Sequence, residues 1–137
     1  MYPEEIVAPI REDLVGAGFT ELRNAAEVDE LMKQGGTTLC VINSVCGCAA
    51  RNARPAAKLS VEMSEKTPTN IVTVFAGVDA EAVAQARKYT LPYPSSSPSI
   101  ALFKDGKLVH FLERHHIEGN TAETIADNLS AAYTEFC

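Results

Sequence analysis

The chain has 137 residues, of which 46% are hydrophobic and 22% are charged, and its formal net charge is −6 at pH 7. This length predicts one domain, residues 1–137, that is large enough for a core of its own. The acidic balance and the lack of a Lys/Arg-rich run argue against a nucleic-acid or anionic-membrane surface. No apolar run approaches the roughly 20 residues that a membrane span needs.

The N-terminus and the cysteine content indicate the compartment. Residues 1–5 are acidic and lack the basic-then-apolar layout of a signal peptide. Two of the four cysteines form Cys46-Gly47-Cys48, which is not the pattern of a secreted disulfide framework. We therefore expect a cytoplasmic protein whose paired cysteines are catalytic or metal-binding.

The first part of the chain predicts two helices and a weak strand. Residues 3–17 carry apolar positions at helical spacing, namely Ile6, Val7, Ile10 and Leu14. Residues 19–22 alternate and form a candidate edge strand. Asn24 and Glu27 fit a capping box that opens a second helix, and Gly35-Gly36 ends it.

The middle of the chain predicts two central strands separated by a long helix. Residues 37–42 and 70–76 are apolar or β-branched at consecutive positions, as in buried strands. Between them a helix begins after Cys46 and runs to about Ser64. Because proline lacks the backbone N–H, we expect a kink at Pro55.

The next part predicts a capped helix, a polar connection and a hairpin. Asp79 is expected to cap a helix that reaches about Tyr89. Residues 91–98 are too rich in proline and serine for a helix or a central strand. Residues 99–112 contain two apolar runs on either side of Asp105-Gly106, which is a strong β-hairpin signal.

Asn120 and Glu123 fit the cap of a last helix, whose apolar stripe is Ile125, Leu129, Ala132, Tyr133 and Phe136. Strands joined through helices become parallel neighbours, whereas a hairpin adds antiparallel ones. The order of elements therefore predicts a mixed sheet between helical layers.

Cys46-Gly47-Cys48 lies where a predicted strand passes into a predicted helix. Backbone N–H groups and the positive end of the helix dipole converge there and stabilise a thiolate, which is the nucleophilic form of cysteine. We therefore expect thiol–disulfide chemistry at Cys46, with a pKa lowered by the helix N-terminus and with no Lys or His close in sequence to add to it. Gly47 would permit the tight turn. The one-residue spacer strains an internal disulfide, which favours a protein that accepts a small thiol on Cys46 and passes it on.

Three motifs together resemble the bacilliredoxin family: Cys46-Gly47-Cys48, Pro94–Ser99 and Glu113–Gly119. The resemblance covers essentially the whole chain. It implies an α/β thioredoxin-like fold, with a central mixed β-sheet flanked by helices and an extra N-terminal helix.

The same resemblance implies a cytosolic thiol–disulfide oxidoreductase that removes bacillithiol from mixed disulfides on proteins. By position, Cys46 would attack, and Cys48 or free bacillithiol would resolve the intermediate. Ser97-Pro98 matches a cis-proline junction that binds the substrate, where a cis bond would expose the Ser97 backbone for strand-like pairing. Bacillithiol is then a co-substrate, and no bound cofactor or metal is expected. The implied partners are bacillithiolated proteins, bacillithiol and, indirectly, its disulfide reductase.

Several other side chains with reactive or charged groups are assigned structural roles. Cys40, within a predicted strand, is expected to be an inert buried thiol, and the last residue, Cys137, to be exposed. His115 and His116 follow a strand, where neighbours face opposite sides, so a shared metal site is not expected. Arg51 either lies exposed to solvent on a helix surface or binds the carboxylates of a thiol cofactor.

Two further functions stay open from the residues alone. A general disulfide isomerase or reductase would use the same cysteine pair on disulfides that carry no small thiol. A metal or iron–sulfur carrier would use Cys-x-Cys as two soft ligands, with four available from a dimer.

Overall fold

A mixed sheet of five strands forms the centre of residues 2–137, which the computed structural model describes. The strands are β1 (Thr20–Glu21), β2 (Thr37–Asn43), β3 (Asn70–Phe75), β4 (Ser99–Lys104) and β5 (Lys107–Leu112). Their order across the sheet is β1-β3-β2-β4-β5. β3 is parallel to β1 and β2, whereas β4 is antiparallel to β2 and β5. The predicted edge strand and the predicted mixed sheet are both confirmed.

Helices cover both faces of this sheet. They are α1 (Glu4–Val15), α2 (Ala25–Lys33), α3 (Arg54–Met63), α4 (Ala80–Lys88), α5 (Arg114–Ile117) and α6 (Ala122–Phe136). Side chains alternate along β2, so that Leu39 and Val41 join a core with α1, α3 and α6. Cys40 and Ile42 face the other way and join a second core with α2 and α4. No helix within residues 2–137 is long and apolar enough to cross a membrane.

The inner face of α1 differs from the prediction. Val7 and Leu14 are fully buried, but Ile6 is 51% exposed and Arg11 is buried instead. The Arg11 guanidinium lies within hydrogen-bond distance of two carboxylates, one from β1 and one at the start of α4. A charged residue takes an inner position here because other elements supply its counter-ions, and these cannot be inferred from the periodicity of α1.

Two of the three predicted helix caps need correction. The Asn24 side chain accepts the Glu27 backbone N–H at 2.9 Å, as predicted, but the Glu27 carboxylate accepts the Arg23 N–H at 2.8 Å and so does not complete a capping box at Asn24. Asp79 stands at the N-cap of α4, but its side chain does not cap, because both carboxylate oxygens bind Arg11. Thr121, not Asn120, caps α6 by accepting the backbone N–H of Thr124 at 3.1 Å.

The long helix after Cys46 ends at Met63, close to the predicted Ser64. Its beginning has an unexpected form: a π-helical turn at Ala49–Ala53, in which the Arg54 N–H donates to the Ala49 carbonyl. Pro55 follows in the first turn of α3, where a missing N–H is tolerated. Where a kink was expected at Pro55, the helix changes from π to α hydrogen bonding. Turns of π-helix often accompany functional sites.

The predicted hairpin is confirmed. Asp105 and Gly106 both have positive φ, 52° and 77°, which is the pattern of the two-residue turns that match strand twist. The Asp105 side chain also accepts the Gly36 backbone N–H at 2.8 Å and so ties this turn to the loop before β2.

Candidate active site

The segment that leads from β2 to Cys46 is held by a buried arginine. The Arg54 guanidinium donates to the Asn43 side-chain oxygen at 2.9 Å and to the Ser44 carbonyl at 3.0 Å. The Asn43 oxygen also accepts the Ser44 backbone N–H at 2.8 Å. The chain just before the cysteines is therefore fixed by three hydrogen bonds. This role is not predicted from the sequence, although an arginine inside an alanine-rich helical segment is a visible signal.

Arg54 obtains its counter-charge from α1. Its Nε lies 2.8 Å from one carboxylate oxygen of Asp13, and the Lys58 amine lies 2.5 Å from the other. Burial alone would raise the pKa of Asp13, but hydrogen bonds from Lys58 and Arg54 outweigh it and lower the pKa. The extra N-terminal helix thus supports the site through this ion pair.

Cys46 is half-buried, and its surroundings lower its pKa below the ordinary thiol value. Burial opposes the shift, but a hydrogen bond from the Ser44 hydroxyl and the backbone N–H groups of Ala49 and Cys48 stabilise the thiolate. The positive charge of Arg114 acts in the same direction. The predicted helix-start effect is confirmed. The cation was missed because Arg114 is distant in sequence.

Cys48, also half-buried, lies beside an ion pair. Its Sγ is 3.8 Å from a Glu118 carboxylate oxygen and 3.9 Å from Arg114 Nη2. Arg114 and Glu118 themselves form a salt bridge. The second thiol of the motif is therefore in contact with an acceptor and a donor of opposite charge.

Arg114 connects three parts of the site. Besides its contact with Cys48, its Nη1 donates to the Ser97 carbonyl at 3.0 Å and its backbone N–H donates to Ser96 Oγ at 3.3 Å. The Ser97–Pro98 peptide is cis, as predicted, and Pro98 is buried. The Ser97 backbone was expected to be exposed for pairing, but its carbonyl already accepts a hydrogen bond from Arg114. Among residues 2–137, the Ser97 N–H donates no hydrogen bond, and the residue as a whole is half-buried.

Gly47 and Arg51 are in contact, for a reason that differs from the prediction. The φ of Gly47 is not positive, so the turn does not require glycine for its backbone conformation. Instead, a Cβ added at Gly47 would lie 2.8 Å from Nη2 of Arg51. The absence of a side chain makes room for a guanidinium group beside the cysteines.

His115 and His116 correct another prediction, because they lie in the short helix α5 rather than on a strand. Their ring centroids are 4.0 Å apart, and one donor atom from each lies within 4.8 Å of a Glu113 carboxylate oxygen. The two histidines therefore do not face opposite sides. Two of these three groups are already engaged, since the Glu113 carboxylate accepts the His116 backbone N–H and His116 Nδ1 accepts the Glu113 N–H. Glu113 and His116 therefore form a capping box for α5.

All four cysteines are free thiols, and two of them lie outside this site. Cys40 is buried, as predicted, and this burial raises its pKa to about 12. Cys137 is exposed, as expected. A cavity of about 270 Å³ is also separate from the cysteines and is lined by Leu112, His116, Asn120, Thr124, Ile125 and Asn128.

Solved structures similar to this chain include proteins with a thioredoxin fold. One, described as a putative oxidoreductase with a thioredoxin fold, aligns with a TM-score of 0.61 at 14% identity, covering 79% of this chain and 90% of the other. A thioredoxin of Fasciola hepatica aligns with a TM-score of 0.58 at 22% identity, covering 84% and 99%. The predicted thioredoxin-like α/β fold is confirmed.

Comparisons of sequence identify the family. Residues 2–137 match a family described as disulphide isomerase. A bacilliredoxin of Cytophaga hutchinsonii is 60% identical over 98% of this chain and 99% of its own length, and one of Geobacillus kaustophilus is 51% identical over 99% and 94%. With its thioredoxin fold and cysteine pair, the chain belongs to the bacilliredoxin family and is a thiol–disulfide oxidoreductase.

Proposed function

We propose that this oxidoreductase removes bacillithiol from mixed disulfides on cytoplasmic proteins. In this proposal Cys46 attacks, Cys48 or free bacillithiol resolves, and Ser97 and Pro98 bind the substrate. The protein holds no cofactor or metal of its own, and bacillithiol is its co-substrate. Its partners are bacillithiolated proteins, bacillithiol and, indirectly, a disulfide reductase.

The observation that carries the proposal is the environment of Cys46. The pKa of its thiol is lowered by Ser44, by two backbone N–H groups and by Arg114. The half-buried sulfur is thus favoured as a thiolate without being closed off from a partner. The identity with proteins named bacilliredoxin supports bacillithiol as the small thiol.

The first step is an exchange between sulfurs. The Cys46 thiolate attacks the bacillithiol sulfur, a new S–S bond forms between them, and the target cysteine leaves as a thiolate that takes a proton from solvent. The oxidation level is conserved, because one disulfide breaks and one forms. During this step the Ser97 N–H donates to the backbone of the bound substrate, as in strand addition.

The second step removes bacillithiol from Cys46. In one branch, a second bacillithiol thiolate attacks the sulfur of the bound bacillithiol, the bond to Cys46 Sγ breaks, and Cys46 leaves as a thiolate. The released bacillithiol disulfide is returned to two thiols by the reductase. Alternatively, the Cys48 thiolate attacks Cys46 Sγ, releases bacillithiol and forms an internal disulfide. Cys48 carries its thiol beside Glu118 and Arg114, so both charged groups are positioned to affect this branch.

The description of the matching family favours a second function, general disulfide isomerase. Such a protein would rearrange disulfides between protein cysteines and would need no small thiol. The carrier hypothesis has no comparable support, because neither the matching family nor the similar proteins are described as carriers of a metal or an iron–sulfur cluster.

The test is to mix the reduced protein with a bacillithiol-modified target and to follow the mass of the target. We expect loss of bacillithiol with the wild type and the Cys137→Ser control, and none with Cys46→Ser. Cys48→Ser should still free the target, with turnover that depends on added bacillithiol. A second substrate with scrambled disulfides and no small thiol separates the alternatives. If the wild type rearranges this substrate and leaves bacillithiol on the first, the isomerase function replaces our proposal.

A further inference from the structure

Three side chains that can bind a metal lie together at α5, outside the cysteine pair. They belong to Glu113, His115 and His116, and one donor atom from each lies within 4.8 Å of the other two. His115 Nε2 is 4.0 Å from Glu113 Oε2, and the two imidazole ring centroids are also 4.0 Å apart. Two nitrogen donors and one oxygen donor are therefore close enough to share one ion.

The capping box of α5 leaves donor atoms of this cluster unused. The Glu113 carboxylate accepts the His116 backbone N–H, but a carboxylate has about four sites for acceptance. His116 accepts the Glu113 N–H through Nδ1 at 3.0 Å, and its Nε2 makes no hydrogen bond within residues 2–137. The His115 side chain is 69% exposed, and neither of its ring nitrogens makes a hydrogen bond in the same range. Each of the three residues can therefore offer an atom to a ligand.

The Glu113 carboxylate also lacks a permanent counter-ion. Its side chain is only 14% exposed, and within residues 2–137 its one ion-pair contact is with His115, which is charged only when it is protonated. The arginine of the same helix, Arg114, directs its Nε to Glu118 and its Nη1 to the Ser97 carbonyl. A mostly buried carboxylate beside two imidazoles is thus open to a cation from solution.

We propose that Glu113, His115 and His116 form a binding site for an exchangeable zinc ion. Two imidazoles and one carboxylate are a ligand set of open zinc sites, in which water completes the tetrahedron. With bonds of about 2.1 Å, tetrahedral ligands lie about 3.4 Å apart, so a small rotation of the exposed His115 ring closes the 4.0 Å separation from Glu113. The ion takes no part in the exchange between sulfurs and is not a cofactor of that reaction.

The donor set also selects the class of metal. Imidazole nitrogen suits zinc and other late first-row metals, whereas magnesium and calcium prefer a shell of oxygens. The cluster offers one carboxylate and two nitrogens, so we expect Zn²⁺ to bind and Mg²⁺ not to compete with it.

Zinc binding replaces one hydrogen bond of the capping box. Because His116 Nδ1 accepts the Glu113 N–H, a neutral His116 ring carries its proton on Nε2. Zinc on Nδ1 takes the place of this hydrogen bond. Zinc on Nε2 moves the proton to Nδ1, which then no longer accepts. Both routes release the Glu113 N–H, and this backbone group therefore reports on the site.

The test is a calorimetric titration of the full-length protein with Zn²⁺. Iodoacetamide first blocks the accessible thiols, because thiolates bind zinc as well. We expect one site whose affinity falls at least about tenfold in His115→Gln, since even the loss of an indirect support of a metal site costs about 10–100-fold. Glu113→Gln should lower the affinity in the same direction, and added Mg²⁺ should leave the wild-type affinity unchanged.

His110→Gln is the matched control. It removes the third histidine of the chain, whose Nε2 lies 2.7 Å from Asn128 Oδ1 and which is outside the cluster. Its zinc affinity should equal that of the wild type. In NMR spectra, Zn²⁺ should shift the Glu113 amide signal of the wild type and of His110→Gln, but not that of His115→Gln.

Equal zinc affinities for His115→Gln and the wild type would overturn the site, and so would zinc binding that leaves the Glu113 amide signal unchanged. Zinc that binds only before the thiols are blocked, and is lost in Cys46→Ser, would place the metal on the cysteines instead. The proposed function is tested separately, because release of bacillithiol from a target needs no zinc.

Discussion

Replacing Arg54 with methionine tests the claim that a buried guanidinium fixes the chain ahead of Cys46. Arg54 is 6% exposed and donates to Asp13, to the Asn43 side chain and to the Ser44 carbonyl. Methionine fills a similar length without a donor. The variant therefore removes the donor to the Ser44 carbonyl, one of the two donors to the Asn43 oxygen, and one of the two cations at Asp13.

The cost follows from the burial of each group. Removal of one partner from a buried ion pair costs about 3–5 kcal/mol, and an unsatisfied buried acceptor costs about 1–3 kcal/mol. Asp13, however, is 33% exposed and keeps Lys58, so water and the amine offset part of its loss. We expect Arg54→Met to lower the free energy of unfolding by about 2–4 kcal/mol.

Urea denaturation at pH 7 measures this loss, with Lys58→Met as the matched control. Lys58 binds the same carboxylate but is 31% exposed, so its removal should cost at most about 1 kcal/mol. Arg54→Lys, which keeps the charge but not the forked donors, should fall between the two. Equal losses for Arg54→Met and Lys58→Met would refute the reasoning.

The pH dependence of the same measurement has a definite sign. The pKa of Asp13 is lower in the folded protein than its ordinary value of 3.8. Its contribution to stability is therefore complete above pH 3.8 and is lost as pH falls through the lowered folded pKa. The difference in free energy of unfolding between the wild type and Arg54→Met should become smaller in that acidic range.

Three further predictions concern the thiol and the last helix. Because the thiolate is the reactive form, alkylation of Cys46 should reach half its maximal rate at a pH lower than the pKa of an ordinary thiol. Arg114→Gln should raise the pH of this midpoint. An unchanged midpoint would contradict the electrostatic role of Arg114. Leu129→Ala should lower the stability to urea by about 2–4 kcal/mol, since the side chain is 1% exposed in the core. Thr121→Ala should cost about 1 kcal/mol through loss of the α6 cap, and a neutral result would count against this assignment.

The strands and the cysteine pair were predictable because their signals are local. Runs of β-branched residues identify β2 and β3, and Asp105-Gly106 identifies the hairpin. The lowered pKa of Cys46 was expected from its place at the start of a helix. Each of these inferences needs only a few consecutive residues.

The features that sequence analysis missed depend on contacts between distant segments. Arg114 reaches the cysteines only because α5 follows β5 next to the Ser97–Pro98 loop. Arg11 is buried on α1 because carboxylates from β1 and from the start of α4 surround it. Asn120 is a residue type that often caps helices, but its side chain donates to the His116 carbonyl. Thr121 caps α6 instead.

The central claim is that Cys46 takes the small thiol and not the target protein from the mixed disulfide. The most direct measurement is the intact mass of the Cys48→Ser variant after reaction with one equivalent of bacillithiolated target and no free bacillithiol. We predict an adduct that adds the mass of one bacillithiol at Cys46, together with free target. An adduct that carries the target protein, or a variant that stays unmodified beside an unchanged mixed disulfide, would contradict the account.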